Sequence, residues 1–234
     1  MSITISRKSE NYFTLVGIFS ILFLLFLLSL LGTSPLLNLF GLSKINATLL
    51  FISRILYWLS LVLLWLYSIK FEKQNMLIWD EQKYKLSTFL ISIIVIFAVL
   101  IIGLILISLV YRLTGISKTS IKLLEMVAVF RANKLLLVFT ALTAGVVEEL
   151  IFRGYLQPRL EIILKKPALA IVISSILFAL LHYRYGTVIN IIGPFFIGLI
   201  FSYYYWKYRN ITILIICHFL WDLMSLFLLV NTGH

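Results

Sequence analysis

The chain has 234 residues, of which 62% are hydrophobic and only 12% are charged, and its mean hydropathy is +1.08. This composition leaves too little polar material to cover a water-soluble globule, so a soluble fold is excluded and an integral membrane protein is predicted. The formal net charge of +11 sits in short segments between apolar runs, which favours a topology signal and predicts no nucleic-acid partner.

Apolar runs of a length suited to crossing a bilayer occur seven times, since about 20 residues span the hydrocarbon core as a helix. In chain order they are 12–31, 47–69, 86–111, 135–152, 168–182, 187–206 and 211–230. The fourth run is expected to continue as helix until Pro167, because proline disfavours helix in the residue before it. The predicted fold is an all-α bundle of about seven spans.

The chain is predicted to form one membrane domain with two parts. Residues 1–134 supply N-terminal membrane spans and loops, and residues 135–230 form a core of four C-terminal helices. Between them, the segment 121–130 has the pattern of an amphipathic helix at the membrane interface. Gly193 and Gly198 are predicted to permit close helix contacts.

The basic residues and the overall composition predict location and orientation. A small majority of the basic residues lies in loops on the side of the N-terminus, which predicts that side as cytoplasmic. The Ile-, Leu- and Lys-rich composition is typical of a multi-pass protein of a bacterial plasma membrane. The lone cysteine, Cys217, excludes an internal disulfide and a cysteine metal cluster.

Ionisable residues inside the spans are the strongest functional signal. A charge near the bilayer centre costs at least ~2.5 kcal/mol and normally faces the protein interior. Five such residues lie in the C-terminal part: Glu148, Glu149, His182, His218 and Asp222. The other acids, Glu72 among them, and basic residues such as Arg159 are assigned to loops or helix ends.

Helical spacing predicts how these groups are arranged. Glu149 and Arg153 are four residues apart and should pair on one helix face, which turns Glu148 about 100° away and leaves it free for chemistry. A hairpin turning near Lys165 brings Glu148 and His182 to the same depth. His218 and Asp222 are also four residues apart.

Two kinds of peptide-bond chemistry fit these groups. A carboxylate and an imidazole can activate a water molecule, while a second imidazole with its acidic neighbour stabilises the oxyanion that forms. Alternatively, Glu148, His182 and His218 can bind a metal ion such as zinc, the one cofactor considered. The sequence has no HExxH motif, so the common zinc-protease helix is excluded.

Three short motifs occur in order on three of the predicted helices. They are EELIFR with Glu148, Glu149 and Arg153, FALLH with Phe178 and His182, and HFLWD with His218 and Asp222. This ordered trio resembles the CPBP intramembrane proteases, which include the CAAX prenyl endopeptidases of eukaryotes and the bacterial Abi-type proteins linked to bacteriocin processing and self-immunity. The resemblance covers about residues 135–230.

The resemblance implies an intramembrane endopeptidase with assigned roles for these residues. Glu148 and His182 would activate the water, and His218 and Asp222 would hold the oxyanion or orient its donor. Supporting roles fall to Glu149, Arg153 and Phe178. Asp222 is a departure, since some relatives have asparagine at this place. An asparagine amide can donate a hydrogen bond to the oxyanion, whereas an ionised carboxylate cannot, so Asp222 would have to be protonated or would orient His218 instead.

The implied partners are the lipid bilayer and a membrane-associated or lipidated peptide or protein as substrate. Two other classes stay open at this point. A proton- or cation-coupled transporter also uses intramembrane carboxylates and imidazoles. A catalytically silent membrane scaffold would keep the same fold without needing the histidines.

Overall fold

The computed structural model describes residues 2–31, 37–38, 41, 43–114 and 120–232, and this part of the chain contains helices and no strands. The helices are α1 Ser2–Ser29, α2 Ala47–Tyr67, α3 Leu86–Thr114, α4 Ile121–Ala132, α5 Lys134–Leu164, α6 Pro167–Leu180, α7 Ile189–Tyr208 and α8 Ile211–Thr232. All of them except α4 belong to candidate membrane spans, so the predicted all-α fold with seven spans is confirmed.

Helix α5 is the central span of the bundle. Its most apolar window is 67% buried, whereas the corresponding windows of the other spans are between 17% and 33% buried. The outer helices instead turn apolar side chains outward, as α3 does with Ile94 and Ile105, and such faces suit contact with lipid. The side chains of α5 therefore lie mostly inside the bundle, where polar groups are shielded by the other helices.

Helix α5 is also longer and less regular than an ordinary span. The predicted continuation as far as the Lys165–Pro167 turn is confirmed, because helix runs to Leu164. Within it, Ala144–Glu148 and Leu150–Leu156 are wound as π-helix, a feature that the apolar pattern did not indicate. π-Helical turns are rare and occur frequently at functional sites, and here they contain EELIFR.

Small residues let other helices approach closely. A Cβ atom on Gly145 of α5 would lie 2.8 Å from the backbone nitrogen of Phe219 in α8, and one on Gly198 of α7 would lie 3.1 Å from Ser175 Cα in α6. The prediction of a close contact is confirmed for Gly198. It is wrong for Gly193, whose added Cβ would meet nothing within 4 Å, because this part of α7 has no close neighbour.

A buried polar cluster ties the segment after α2 to α5. Arg159 Nη2 lies 2.6 Å from Glu72 Oε2, with both side chains 1% exposed, and Tyr155 donates a hydrogen bond of 2.6 Å to Glu72 Oε1. Glu72 ends the helical segment Ser68–Glu72, so its assignment to a loop or helix end is confirmed, whereas Arg159 lies buried within α5 and does not belong to a loop. The guanidinium satisfies the carboxylate and also donates to the carbonyl oxygens of Met76 and Asn75, which makes burial of both charges tolerable.

Helix ends gather at two poles of the bundle. One hydrophobic cluster joins Ile45 before α2, Phe130 of α4, Leu136 of α5 and Val230 of α8, with Tyr185 after α6 packed against it. We call this pole the α4 end. Residues at the opposite pole include Glu81, which accepts a hydrogen bond of 2.6 Å from the backbone nitrogen of Ile211 at the start of α8.

Candidate active site

Glu149 is the polar centre of the site and is fully buried. Its Oε1 accepts a hydrogen bond of 2.7 Å from Arg153 Nη1, so the predicted pair on α5 is confirmed. The same oxygen lies 2.7 Å from Nδ1 of His218 on α8. This second contact was not predicted, because no local spacing reports a pairing between residues 69 positions apart in the chain. Glu149 thus joins α5 to α8.

Phe178 of α6 packs at the middle of the same cluster. Its side chain is 1% exposed, and its ring centroid lies 4.4 Å from the Arg153 guanidinium carbon, 5.2 Å from the His182 ring and 5.9 Å from the His218 ring. The aromatic face can stabilise the buried guanidinium by cation–π attraction. This position matches the supporting role expected for Phe178.

Glu148 differs from Glu149 because its carboxylate makes no hydrogen bond or ion pair with the described part of the chain, whereas Glu149 Oε1 makes two and only Glu149 Oε2 has no partner. The Glu148 side chain is buried, and its Oε2 accepts no hydrogen bond from the part of the chain that the structure describes. It is close enough to His218 and Arg54 to interact electrostatically with both. A buried carboxylate oxygen left unpaired is costly, so such an arrangement favours a role in chemistry over a role in stability.

His182 lies just beyond the last residue of α6. Its Nδ1 is 3.1 Å from the carbonyl oxygen of Phe178, and because a carbonyl only accepts, Nδ1 must carry the proton of this hydrogen bond. In the neutral ring, Nε2 then has a free lone pair. His182 and Glu148 form no direct hydrogen bond or ion pair, so the predicted pair can act together only through a shared molecule such as water.

His218 and Asp222 are neighbours on α8 as their spacing predicts. His218 Nε2 lies 3.7 Å from Asp222 Oδ2, which is beyond hydrogen-bonding distance and within electrostatic range. The Asp222 carboxylate is 32% exposed and interacts electrostatically with His182 and Glu148 as well. It is the most open of the predicted catalytic groups.

The structure therefore brings the predicted residues of α5, α6 and α8 into one cluster. It also adds residues that the motifs did not indicate. Phe201 of α7 places its ring 5.8 Å from the His218 ring, and Tyr57 and Tyr185 interact electrostatically with Glu148. Arg54 interacts electrostatically with Glu148, and its charge inside an apolar run is a sequence signal that could have indicated this side of the site.

A metal centre does not follow from this arrangement. Among the described residues, no group of three or more His, Cys, Asp or Glu side chains is gathered in a way that could hold a metal ion. His218 interacts electrostatically with both Glu148 and His182, but the three side chains do not form a three-ligand set. The zinc alternative therefore stays a prediction, and the chemistry below is argued from the side chains alone.

Similarity to known proteins covers less than half of the chain. Residues 131–224 match the family model described as type II CAAX prenyl endopeptidase Rce1-like. The match extends from the end of α4 into α8 and contains all three motifs. No curated protein and no solved structure gives a significant match. Residues 131–224 are thus similar to the Rce1-like family, in agreement with the CPBP intramembrane proteases that the ordered motifs resemble.

Proposed function

We propose that this protein is an intramembrane endopeptidase that hydrolyses a peptide bond in a membrane-associated or lipidated peptide or protein. The observation that carries the proposal is the cluster around Phe178. There, the rings of His182 and His218 contact Phe178, and His218 interacts electrostatically with Glu148, so groups from three different spans meet. Glu148 and His218 are buried, and His182 is half-buried. Ionisable groups inside membrane spans are costly to insert into the bilayer and normally have a function.

In the first step, Glu148 and His182 activate one water molecule. The free Oε2 of Glu148 takes a proton from the water, and Nε2 of His182 accepts a hydrogen bond from its other proton. The water oxygen forms a bond to the carbonyl carbon of the substrate, and the carbonyl electrons move onto its oxygen. In the second step, the carbon–nitrogen bond breaks and Glu148 returns its proton to the leaving amine.

His218 is the candidate donor to the oxyanion. Its Nδ1 is engaged with Glu149, so donation from Nε2 as well requires the imidazolium form. The carboxylates of Glu149 and Asp222 compensate that positive charge. Asp222 itself cannot donate while ionised, so we assign it the positioning of His218 and not direct contact with the oxyanion.

The test is cleavage of a membrane-bound reporter peptide by purified protein in lipid nanodiscs. We expect product masses that sum to the substrate plus one water. The variants Glu148→Gln, His182→Ala and His218→Ala should lose at least about 100-fold in kcat, the usual size of a general acid–base contribution. Asp80→Asn, an exposed carboxylate away from the cluster, is the matched control and should keep full activity.

Other outcomes assign the protein elsewhere. Cleavage that a zinc chelator abolishes and zinc restores would assign Glu148, His182 and His218 as metal ligands in a metalloprotease. Proton-linked flux without any cleaved peptide would show that the protein is a transporter. If neither cleavage nor flux is found, the scaffold alternative would be favoured. Reporter peptides ending in a prenylated tail or carrying a bacteriocin leader separate the two substrate classes associated with the resembling family.

A further inference from the structure

A small cavity at the α4 end lies beside the reacting carboxylate, and its charged walls come partly from outside the Rce1-like match. Its volume is about 70 Å³, and its polar lining includes Ser53, Arg54, Tyr57, Lys122, Arg184 and Tyr185. Arg54 and Lys122 precede residue 131, where the family match begins. The walls belong to the end of α1, to α2, to α4 and to the turn after α6, which converge at this pole.

Three cations line this cavity without an acidic partner. Within the described part of the chain, no carboxylate lies within 4 Å of the charged nitrogens of Arg54, Lys122 or Arg184. Arg54 instead donates to Ser53 Oγ at 3.2 Å, and Arg184 donates to the Tyr183 hydroxyl at 3.0 Å.

The three charges are near enough to repel one another. Lys122 lies outside the membrane spans, and burial lowers the pKa of its ammonium, with further lowering by Arg184 and Arg54. Glu125, on the next turn of α4, opposes this effect from a distance without forming an ion pair. Like charges held around a partly enclosed space are stabilised most directly by an anion placed between them.

The cavity adjoins the candidate active site through two tyrosines. Tyr57 and Tyr185 line it, and both interact electrostatically with Arg54 on one side and with Glu148 on the other. The Arg54 guanidinium also lies 5.2 Å from the Tyr57 ring centroid. A peptide held for attack at Glu148 can therefore extend one of its small groups into the cavity.

We propose that this cavity is a subsite of the peptidase, resting on the function proposed above, and that it binds a carboxylate of the substrate between Arg54, Lys122 and Arg184. Guanidinium groups match the planar geometry of a carboxylate and bind it by charge-assisted hydrogen bonds. The volume admits a group of that size and not a larger ligand. In a peptide, the carboxylate is either the free C-terminus or the side chain of Asp or Glu.

The experiment measures binding, so that it does not depend on turnover. Full-length Glu148→Gln protein in nanodiscs of neutral lipid is titrated with a lipidated, fluorophore-labelled peptide, and Kd is followed by fluorescence anisotropy. The peptide is made with a C-terminal acid or amide, and in each case with a Glu or a Gln near that end. The acid and amide pair tests the free terminus, and the Glu and Gln pair tests a side chain.

We expect one carboxylate-bearing form to bind about tenfold more tightly than its neutral counterpart, as one charge-assisted contact warrants. Adding Arg54→Gln should remove this preference, whereas Lys44→Gln, an exposed cation at the same pole that does not line the cavity, should leave it unchanged. In active protein, Arg54→Gln should raise KM for the preferred form more than KM for its neutral counterpart.

Equal or undetectable binding of the charged and neutral forms would overturn the subsite. The subsite would also be overturned if Arg54→Gln changed the Kd for the peptide only when phosphatidylglycerol is added to the nanodisc, because the cavity would then bind a lipid phosphate. Failure of the wild-type protein to cut any peptide would count against the enzyme alone, since the binding preference is measured separately.

Discussion

Glu148 and Glu149 are adjacent in the chain and differ in their hydrogen-bond partners. Glu149 Oε1 accepts hydrogen bonds from Arg153 and His218, and only Oε2 has no partner, whereas the Glu148 carboxylate makes no hydrogen bond or ion pair with the described part of the chain. Buried charged side chains that stabilise a fold have hydrogen-bond and ion-pair partners. Those that take part in catalysis often have none, and this lowers the stability of the protein. The two glutamates should therefore respond differently to the same substitution.

We predict that Glu149→Gln destabilises the protein and Glu148→Gln does not. Removing the charge of Glu149 leaves the fully buried Arg153 without a counter-charge, and breaking such a pair costs about 3–5 kcal/mol. At Glu148 an amide is cheaper to bury than a carboxylate and no hydrogen bond to Oε2 is lost. Thermal unfolding followed by tryptophan fluorescence in detergent measures both. An equal fall in Tm for the two variants would contradict the distinction.

At the scale of single residues, the sequence predicted what local spacing encodes. The Glu149 and Arg153 pair follows from a four-residue interval, and the burial of Phe178 follows from its place on an apolar helix. The contact of Glu149 with His218 and the pairing of Glu72 with Arg159 join distant segments. Such contacts depend on how helices pack, which a periodic pattern does not specify.

Among the helices, the approach of α5 to α8 positions the histidine of the third motif. Gly145 lies one turn before Glu149 and faces the backbone of α8 near Phe219, next to His218. The π-helical winding of Ala144–Glu148 places this glycine and Glu148 on the interior of the bundle. The sequence predicted the length of α5 but not this winding, because both helix types bury a similar apolar stripe.

We predict that Gly145→Ala disrupts the site, whereas Gly193→Ala is tolerated. The new methyl group at 145 would lie 2.8 Å from the Phe219 nitrogen and 3.0 Å from the Ile215 carbonyl oxygen, so the α8 backbone must move. At 193 nothing lies within 4 Å apart from the chain neighbours, so no packed helix must move. Because Pro194 follows and disfavours helix for a residue with a Cβ, no gain in helix stability is expected from the alanine.

Tm and cleavage rate together check this pair. Gly145→Ala should lower both, whereas Gly193→Ala should keep activity and lower Tm less than Gly145→Ala does. Full activity in Gly145→Ala would show that the distance between α5 and α8 does not matter for the Glu149 and His218 contact.

In the whole molecule, the candidate active site and the cationic cavity lie toward the same pole of the bundle, the α4 end. His182 follows the end of α6 at the α4 end, and the cationic cavity lies at the same pole. The apolar runs predicted the number of spans, and the equal depth of Glu148 and His182 that the hairpin near Lys165 implies stays a prediction. The runs did not predict the cavity, whose walls come from the end of α1, from α2, from α4 and from the turn after α6.

We predict that the α4 end faces away from the cytoplasm. The loops of the opposite pole carry the small majority of basic residues, although Arg159 is buried and no longer counts toward it. In a Cys217→Ala background, single cysteines at Ser43 and Val188 at the α4 end should react with an impermeant maleimide on intact cells. Those at Lys83 and Lys166 should react only after permeabilisation. The reverse pattern would mean that substrate reaches Glu148 from the cytoplasm and that the charge majority does not set the orientation.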